Sequence, residues 1–359
     1  MRHEGTVAPG VCGGRAAEDG YAGPRATGRG ARDPVGGIGL DGGMSLSPHA
    51  TLADVGEFGL IDELVQLFPT HERVLVGPGD DAALLRIRNG HVVVSTDLLI
   101  EGRHFKRDWV EAGDVGHRAA AQNLSDINAM GGTGHSLTLG FAGPPDLPVQ
   151  WVRDFAGGFA EECQLVGATV IGGDVSTASQ IVISVTVIGA LTQAPVLRSG
   201  ARPGDVLALA GRQGWAAGGL AVLGRGFRSP RKLVQAYARP EPPYAAGPAA
   251  AEAGATSMVD ISDGLLAEAG HLAVHSGVAI DVRTELLELP EPLHAVGAAT
   301  NTDPVRYVLG GGDDHSLLAT FPADVEPPEG WSIIGSVGVG SGVTVDGEEY
   351  DGPTGWTHF

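Results

Sequence analysis

The stretch His91-Val-Val-Val-Ser-Thr-Asp97 joins a short β-branched run to an acidic residue within a few positions. Three consecutive valines predict a buried strand. Two similar runs, 168–172 and 181–189, also predict strands, the second of them in the centre of a sheet. Apolar residues at helical spacing mark the segments 54–68, 114–130 and 151–165. This mixed order predicts an α/β (mixed α+β) fold and not a sandwich or a helix bundle.

Capping signals bound the predicted helix 114–130. Asp114 is its expected N-cap, and Gly131-Gly132 is expected to stop it. On a helical wheel Asp126 lies at the margin of the small and apolar face. Spacing alone therefore leaves open whether Asp126 points toward a site or toward solvent.

A segment rich in proline and glycine divides the chain. Residues 193–205 contain two prolines and two glycines, and strand-like and helix-like runs resume at 206–210, 216–223, 257–261 and 265–275. We expect an N-terminal domain at 44–192 and a C-terminal domain at 193–359. Residues 1–43 have almost no large apolar residues, which predicts a disordered extension or, as the favoured alternative, a start codon placed too early.

The charge balance excludes several classes of partner. The chain has 43 acidic against 23 basic residues and a net charge of −20. Such a field repels nucleic acid and anionic membranes, and it also repels ATP unless divalent cations intervene. The two cysteines, Cys12 and Cys163, form no disulfide framework. No apolar run approaches the ~20 residues of a membrane span, and none resembles a secretory signal. We expect a cytoplasmic protein.

Acidic residues follow strand-like runs at five places. These are Gly77-Pro-Gly-Asp80-Asp81, Ser95-Thr96-Asp97, Gly172-Gly173-Asp174, Asp260-Ile-Ser262-Asp263-Gly264 and Gly310-Gly-Gly-Asp313-Asp314. Ligands of open α/β folds bind at the carboxyl ends of strands. Carboxylate oxygens at such an edge suit Mg²⁺, which commonly links protein to phosphate. The pattern favours metal-assisted phosphate chemistry.

Each motif alone has a simpler interpretation. One Gly-Asp pair is typical of a turn or a helix cap, and Asp263 can cap the helix that follows it. The absence of a GxxxxGK[ST] loop, an HRD or DFG set, an HExxH motif and a GxSxG elbow excludes P-loop, protein-kinase, zinc-protease and acyl-transfer signatures.

Taken together and in order, the motifs resemble the thiamine-monophosphate kinase family over about residues 56–359. The matching stretches are Gly56-Glu-Phe-Gly-Leu-Ile61, Gly79-Asp-Asp81, Ser95-Thr-Asp97, Glu101-Gly-Arg-His104-Phe105, Asn123-Leu-Ser-Asp126-Ile-Asn-Ala-Met-Gly131, Gly172-Gly-Asp174, Arg198-Ser-Gly200, Asp260-Ile-Ser-Asp-Gly264 and Gly311-Gly-Asp-Asp314. The resemblance implies a two-domain fold like that of aminoimidazole-ribonucleotide synthetase. It also implies a homodimer whose N-terminal domains pair into a shared sheet or barrel, with ATP in a cleft near the interface.

Position by position, the resemblance implies three sets of residues. The implied magnesium ligands are Asp81, Asp97, Asp126, Asp174 and Asp260, with oxygen atoms from Ser95 and Thr96 and a further ion at Asp263. The implied nucleotide contacts are Gly173, Asp174, Arg198 and Ser262. The implied thiamine-phosphate contacts are His104, Asp313 and Trp356, and Asp313 stands where the family usually has Glu. From the residues alone, His104 can instead serve a loop hydrogen bond, Arg198 can be a solvated charge, and Trp356 can pack the terminus.

The implied reaction transfers the γ-phosphoryl group of ATP to thiamine monophosphate, giving ADP and thiamine diphosphate. A phosphate monoester has a second pKa near ~6, so the acceptor is mostly ionised at neutral pH and needs no general base. Two unit charges at ~4 Å still repel by about 4 kcal/mol at an effective dielectric near ~20, which is why several Mg²⁺ ions are implied. We expect direct in-line transfer without an aspartyl-phosphate. The alternatives are another ATP-using member of the superfamily, such as a selenophosphate or aminoimidazole-ribonucleotide synthetase, and a non-catalytic nucleotide- or thiamine-binding regulator.

Overall fold

The computed structural model describes residues 50–69, 71, 73–76, 84–87 and 92–356. The predictions for residues 1–43 and for Asp81 lie outside these residues. The helices are α1 (Leu52–Val65), α2 (Ala112–Ala129), α3 (Val149–Leu165), α4 (Trp215–Gly224), α5 (Arg231–Ala238), α6 (Ala246–Ala253), α7 (Leu265–Ser276), α8 (Glu291–Thr300) and α9 (Val305–Gly310). The strands are β1 (Val74–Val76), β2 (Leu84–Leu85), β3 (Val93–Ile100), β4 (Gly132–Gly143), β5 (Thr169–Thr177), β6 (Val182–Leu191), β7 (Val206–Ala210), β8 (Ser257–Asp260), β9 (Ala279–Val282), β10 (Leu317–Phe321), β11 (Trp331–Gly338) and β12 (Gly342–Val345).

A four-stranded sheet in the order β3-β6-β4-β5 forms the first half. β6 pairs antiparallel with β3 and β4, whereas β4 and β5 run parallel. The prediction that the run 181–189 forms a central strand is confirmed, and its β-branched residues Val185 and Val187 are buried in the same core as Leu124 and Ile127 of α2.

Helices α2 and α3 pack with their backbones in direct contact. A Cβ at Gly116 would lie 1.9 Å from the carbonyl oxygen of Phe155, and one at Gly158 would lie 2.0 Å from that of Gly113. Only glycine allows so close an approach at these two positions. The glycines therefore set the distance between the two helices.

A six-stranded sheet in the order β12-β9-β11-β7-β10-β8 forms the second half. Its neighbouring strands are antiparallel, apart from the parallel pair β12 and β9. β8 is an edge strand, and its last residue Asp260 pairs with Leu317 at the start of β10. The segment that precedes β10 consequently runs beside Asp260.

Several predicted boundaries are wrong. β3 does not end before Ser95 but pairs with β6 as far as Ile100, and β5 runs through Asp174. The acids of these two motifs thus lie inside strands and not at their ends. Polar residues do not end these strands, because backbone pairing continues through them. The apolar run 307–309 belongs to α9 and is not a strand.

The start of α2 also differs from the prediction. Glu111 is the N-cap, and Asp114 lies three residues into the cap motif, where its carboxylate accepts the hydrogen bond of the Glu111 backbone N–H at 3.2 Å. The two residues form a reciprocal capping box. The predicted stop is confirmed, because Gly131 has a φ of 78° directly after the C-cap Met130.

The division between the predicted domains falls in an irregular segment. Residues 192–205 contain no helix or strand, and the boundary at 192/193 stays a prediction. In the part of the chain that the structure describes, no helix has the length and apolarity needed to cross a membrane. A cytoplasmic location stays a prediction.

Candidate active site

Strand β3 and helix α2 bring two acidic residues together. Side chains alternate along a strand, so Ser95 and Asp97 share the face of β3 that packs on α2. The Ser95 hydroxyl donates to Asp126 Oδ2 at 2.5 Å, and the Asp97 backbone N–H donates to Asn123 Oδ1 at 3.2 Å. Asp126 therefore points toward the sheet, which settles the orientation that the wheel left open.

The second half of the chain adds Asp260 to this group. Burial, followed by the charges of Asp260 and Asp97, raises the pKa of Asp126 to about 7. The carboxylates of Asp97 and Asp260 thus lie near enough to Asp126 to repel its charge. Asp260 accepts a hydrogen bond from His315 Nδ1 at 3.1 Å, in a pair that is almost fully buried. Burial opposes protonation of His315, but the bond to Asp260 and its charge raise the pKa of the imidazole.

A buried arginine connects α2 to the segment before β10. Arg118 Nη2 lies 2.6 Å from Asp313 Oδ2, and Arg118 Nη1 donates to the carbonyl oxygen of Tyr237 at 3.1 Å. The guanidinium also stacks over the Tyr237 ring at 5.0 Å. Burial would raise the pKa of Asp313, but the charges of Arg118, His315 and His104 hold it below its usual value. Asp313 and His104, both predicted on the substrate side, therefore share one electrostatic environment.

Asp314 faces away from this pair. Its Oδ1 accepts the backbone N–H of Ala216 at 2.9 Å in the first turn of α4, while its Oδ2 has no hydrogen-bond partner among the described residues. Burial raises the pKa of Asp314 to about 7. Asp314 thus caps a helix inside the protein.

The turn after β8 carries Ser262 and Asp263. Glu268 Oε1 accepts hydrogen bonds from the Ser262 hydroxyl and the Asp263 backbone N–H, both at 3.4 Å. Burial, followed by the charge of Asp260, raises the pKa of Glu268 to about 7. A Cβ at Gly312 would lie 2.0 Å from the Ser262 carbonyl oxygen, so the glycine run before Asp313 presses directly on this turn.

The described C-terminal segment ends beside the same turn. The Trp356 backbone N–H donates to the Asp263 carbonyl oxygen at 3.0 Å. The indole side chain is 58% exposed. Trp356 is therefore anchored by its main chain and presents its ring to solvent beside the turn, not in a core.

Two predicted ligands do not join Asp97 within one chain. Asp97 pairs with Val185, Val185 with Leu139, and Leu139 with Gly173, so Gly173 and its neighbour Asp174 stand three strands away. Three strand spacings amount to about 14 Å. Asp174 also shares its register row with exposed Leu98, on the face opposite Asp97. Thr96 lies on that outer face as well, where its hydroxyl meets Thr186 Oγ1 at 2.8 Å.

The remaining predicted residues have mixed placements. A Cβ at Gly173 would lie 2.0 Å from the Leu139 carbonyl oxygen, so this glycine serves the close pairing of β4 and β5. Arg198 is exposed, and its positive charge partly offsets the rise in the pKa of Glu268. His104 Nδ1 accepts the Ile100 backbone N–H at 2.9 Å, which is the loop hydrogen bond considered as its simpler role.

Sequence reasoning missed three residues of this site, namely Arg118, Glu268 and His315. Arg118 had a usable signal, because it is a lone cation before the run Ala119-Ala-Ala on the helix that carries Asp126. Glu268 follows Asp263 on the first turns of α7, where an acid is ordinarily explained by the helix dipole. His315 directly follows the last acidic motif, but it belongs to no sequence motif that would identify it as a site residue.

The carboxylate oxygens of Asp97, Asp126 and Asp260 are of the kind that Mg²⁺ prefers, but they do not by themselves fill its coordination sphere. In the described ranges no three His, Cys, Asp or Glu side chains are grouped closely enough to hold a metal ion. Burial and the charges of Asp260 and Asp97 nevertheless raise the pKa of Asp126. A hard divalent cation relieves that repulsion, and Mg²⁺ ordinarily takes only one or two carboxylates from protein and the rest from water and phosphate.

Comparison with known proteins gives consistent results. The family described as AIR synthase related protein, N-terminal domain, matches residues 79–191. Thiamine-monophosphate kinase of Mycobacterium tuberculosis is 45% identical over 312 residues, which cover 86% of this chain and 93% of that protein. The crystal structure of thiamine monophosphate kinase from Aquifex aeolicus has 34% identity and a TM-score of 0.68, covering 72% of this chain and 89% of the other. The structure of AaThiL complexed with AMPPCP and TMP has 32% identity and a TM-score of 0.70, covering 88% of this chain and all of the other.

Proposed function

This chain belongs to the thiamine-monophosphate kinase family, and from that premise we propose that it transfers the γ-phosphoryl group of ATP to thiamine monophosphate, giving ADP and thiamine diphosphate. The observation that carries the proposal is the contact of Ser95 and Asp97 of β3 with Asp126 and Asn123 of α2, at a place where the charge of Asp260 from the second half also acts on Asp126. A relative of this family binds AMPPCP, an ATP analogue, together with TMP.

Several Mg²⁺ ions are the proposed cofactor. The proposed ligands are Asp81, Ser95, Thr96, Asp97, Asp126, Asp174, Asp260 and Asp263. When bound, magnesium neutralises the charge of the phosphates and aligns donor and acceptor. The raised pKa of Asp126 supports this role. Without a cation the carboxylate resists ionisation, and a bound cation would make its ionised form favourable.

The protein's own residues then have positioning roles. His104, Asp313 and Trp356 are the proposed contacts of the thiamine phosphate, and Arg118 holds the Asp313 carboxylate in place at 2.6 Å. Gly173, Asp174, Arg198 and Ser262 are the proposed contacts of the nucleotide. None of these residues is assigned as a general base, because the acceptor phosphate is already mostly ionised at neutral pH.

A homodimer explains the separation of Asp97 and Asp174. Both β3 and β5 are edge strands of the first sheet, so pairing of two sheets can bring Asp174 of one protomer beside β3 of the other, on the outer face that carries Thr96 next to Asp97. The outer face of β3 supports such pairing, because Val94 and Leu98 are 55% and 51% exposed. In this arrangement each nucleotide site takes residues from both copies.

Mixed dimers test the shared site. Asp97→Asn and Asp174→Asn are each expected to be inactive alone. Coexpression of the two should restore roughly a quarter of wild-type activity, because half of the dimers are mixed and each mixed dimer retains one intact site. Continued inactivity of the mixture would place both residues in the same protomer's site or remove Asp174 from it.

The activity is tested by a coupled assay for thiamine diphosphate from thiamine monophosphate and ATP, with and without EDTA. Turnover that requires a divalent cation is expected. A parallel reaction with free thiamine separates this activity from a pyrophosphokinase. Binding of both substrates without turnover would identify a regulator, and absence of both binding and turnover would favour another superfamily activity.

A further inference from the structure

A cluster of basic residues stands out on a chain of net charge −20. The segment Gly224-Arg-Gly-Phe-Arg-Ser-Pro-Arg-Lys232 has four basic residues and no acid, and Lys106 and Lys232 are the only two lysines in the sequence. We name the set Lys106, Arg225, Arg228, Arg231 and Lys232 the basic rim. All five are exposed. None forms an ion pair with an acidic side chain in the described part of the chain.

Contacts fix the two parts of the rim together. Arg228 Nη2 donates to the Asp108 carbonyl oxygen at 2.7 Å, which joins the segment 224–232 to the segment that carries Lys106. Lys106 Nζ lies 4.3 Å from the centre of the Trp109 ring. The rim is thus one surface built from both halves of the chain.

The rim borders the substrate side of the candidate active site. Trp109 packs edge-to-face on Tyr237 with ring centres 6.2 Å apart, and the Tyr237 ring carries Arg118, which holds Asp313. His104 belongs to the same segment as Lys106 and contributes to the field at Asp313. Lys106 lies two residues after His104, so the rim reaches the segment that carries a proposed contact of the thiamine phosphate.

We propose that the basic rim attracts the phosphate group of the acceptor and guides it to the site. This proposal rests on the proposed kinase function. Surface charges act over about 8 Å at physiological ionic strength, so the rim attracts only an anion that comes within about that distance of it. Without such a patch, the field of the whole chain opposes an anionic acceptor. The phosphate of thiamine monophosphate is therefore the recognised group, and free thiamine lacks it.

Charge reversal with a matched control tests the rim. The variant Arg225→Glu/Lys232→Glu changes the net charge by the same amount as Arg202→Glu/Arg306→Glu, which alters two exposed arginines outside the rim. For the rim variant at low salt, we expect the KM for thiamine monophosphate to rise about fivefold or more, with kcat and the KM for ATP within about twofold. At ~0.5 M salt the difference should nearly vanish. The control should stay within about twofold throughout.

A binding experiment separates this inference from the proposed activity. Titration calorimetry with thiamine monophosphate and with free thiamine needs no turnover. Weakened binding of the phosphate ester alone, in the rim variant alone, supports the rim. Equal weakening by the control variant, equal weakening for free thiamine, or an unchanged KM and affinity for the ester would overturn it. Absence of turnover in the wild-type protein would instead count against the kinase function.

Discussion

Replacing Asp126 by asparagine should stabilise the metal-free protein while abolishing its activity. The asparagine side chain keeps an oxygen that can accept the Ser95 hydroxyl, so the hydrogen bond at 2.5 Å has a substitute. What disappears is a charge held among Asp97 and Asp260. The pKa of Asp126 rises from its ordinary 3.8 to about 7, which corresponds to at most about 4 kcal/mol. The shift comes first from burial and then from the charges of Asp260 and Asp97, and the buried asparagine amide also loses hydration, so we expect a gain of about 2 kcal/mol at pH 8.

The dependence on pH follows from the direction of the shift. The folded-state pKa lies above the unfolded value, so ionisation of Asp126 reduces stability as pH rises from about 4 to about 7, and the full reduction applies above that range. The advantage of the variant should therefore be largest at pH 8 and less than half as large at pH 5. In magnesium the order should reverse, because only the wild type retains the full set of carboxylates for the ion.

Thermal unfolding followed by circular dichroism measures both effects. A gain of about 2 kcal/mol corresponds to a rise in Tm of about 3 °C for a chain of this size. Exposed Asp324→Asn serves as the control and should leave Tm unchanged at both pH values. A variant that is less stable than wild type without metal at pH 8, or equal stabilisation of both proteins by Mg²⁺, would refute the reasoning.

Three further variants test other parts of the site. Arg118→Met should lower the free energy of unfolding by about 2 kcal/mol, toward the lower end for a buried pair because the Asp313 side chain is 43% exposed. It should also raise the KM for thiamine monophosphate, and no such rise should occur in an Asp313→Asn background. Asp314→Asn should raise stability in urea by about 2 kcal/mol at pH 8 and by less at pH 5, because burial raises the pKa of this helix-capping acid to about 7; a constant difference would contradict that origin. Trp356→Ala should change stability by less than about 0.5 kcal/mol, since its ring is 58% exposed. An unchanged KM for thiamine monophosphate in this variant would remove Trp356 from the substrate side.

The sequence predicted the elements of the fold better than their mutual arrangement. The core strand 206–210 was predicted with its observed bounds, because turn residues stand directly before and after this apolar run. Asp97 and Asp174 were expected at strand ends, yet both lie within strands. Their separation follows from the strand order β3-β6-β4-β5, which local patterns do not encode.

The proximity of acidic residues was predictable where a motif marked them, whereas contacts made by packing alone were not. The motifs singled out Asp97, Asp126 and Asp260, and the structure brings these three near each other. Arg118 escaped notice because a charged helical residue is ordinarily solvated, whereas here Tyr237 and Asp313 from distant segments enclose it. Such partners become visible only once the two halves are assembled.

The glycine contact between α2 and α3 has a consequence for how the protein can diversify. With no side chains between Gly116 and Phe155, or between Gly158 and Gly113, there is no compressible layer to absorb a shift of one helix. A displacement of α3 is therefore transmitted undiminished to the helix that carries Arg118, Asn123 and Asp126. The positions of α3 that contact α2 therefore tolerate as little displacement as the proposed ligands, and the two helices are constrained to evolve as one rigid part.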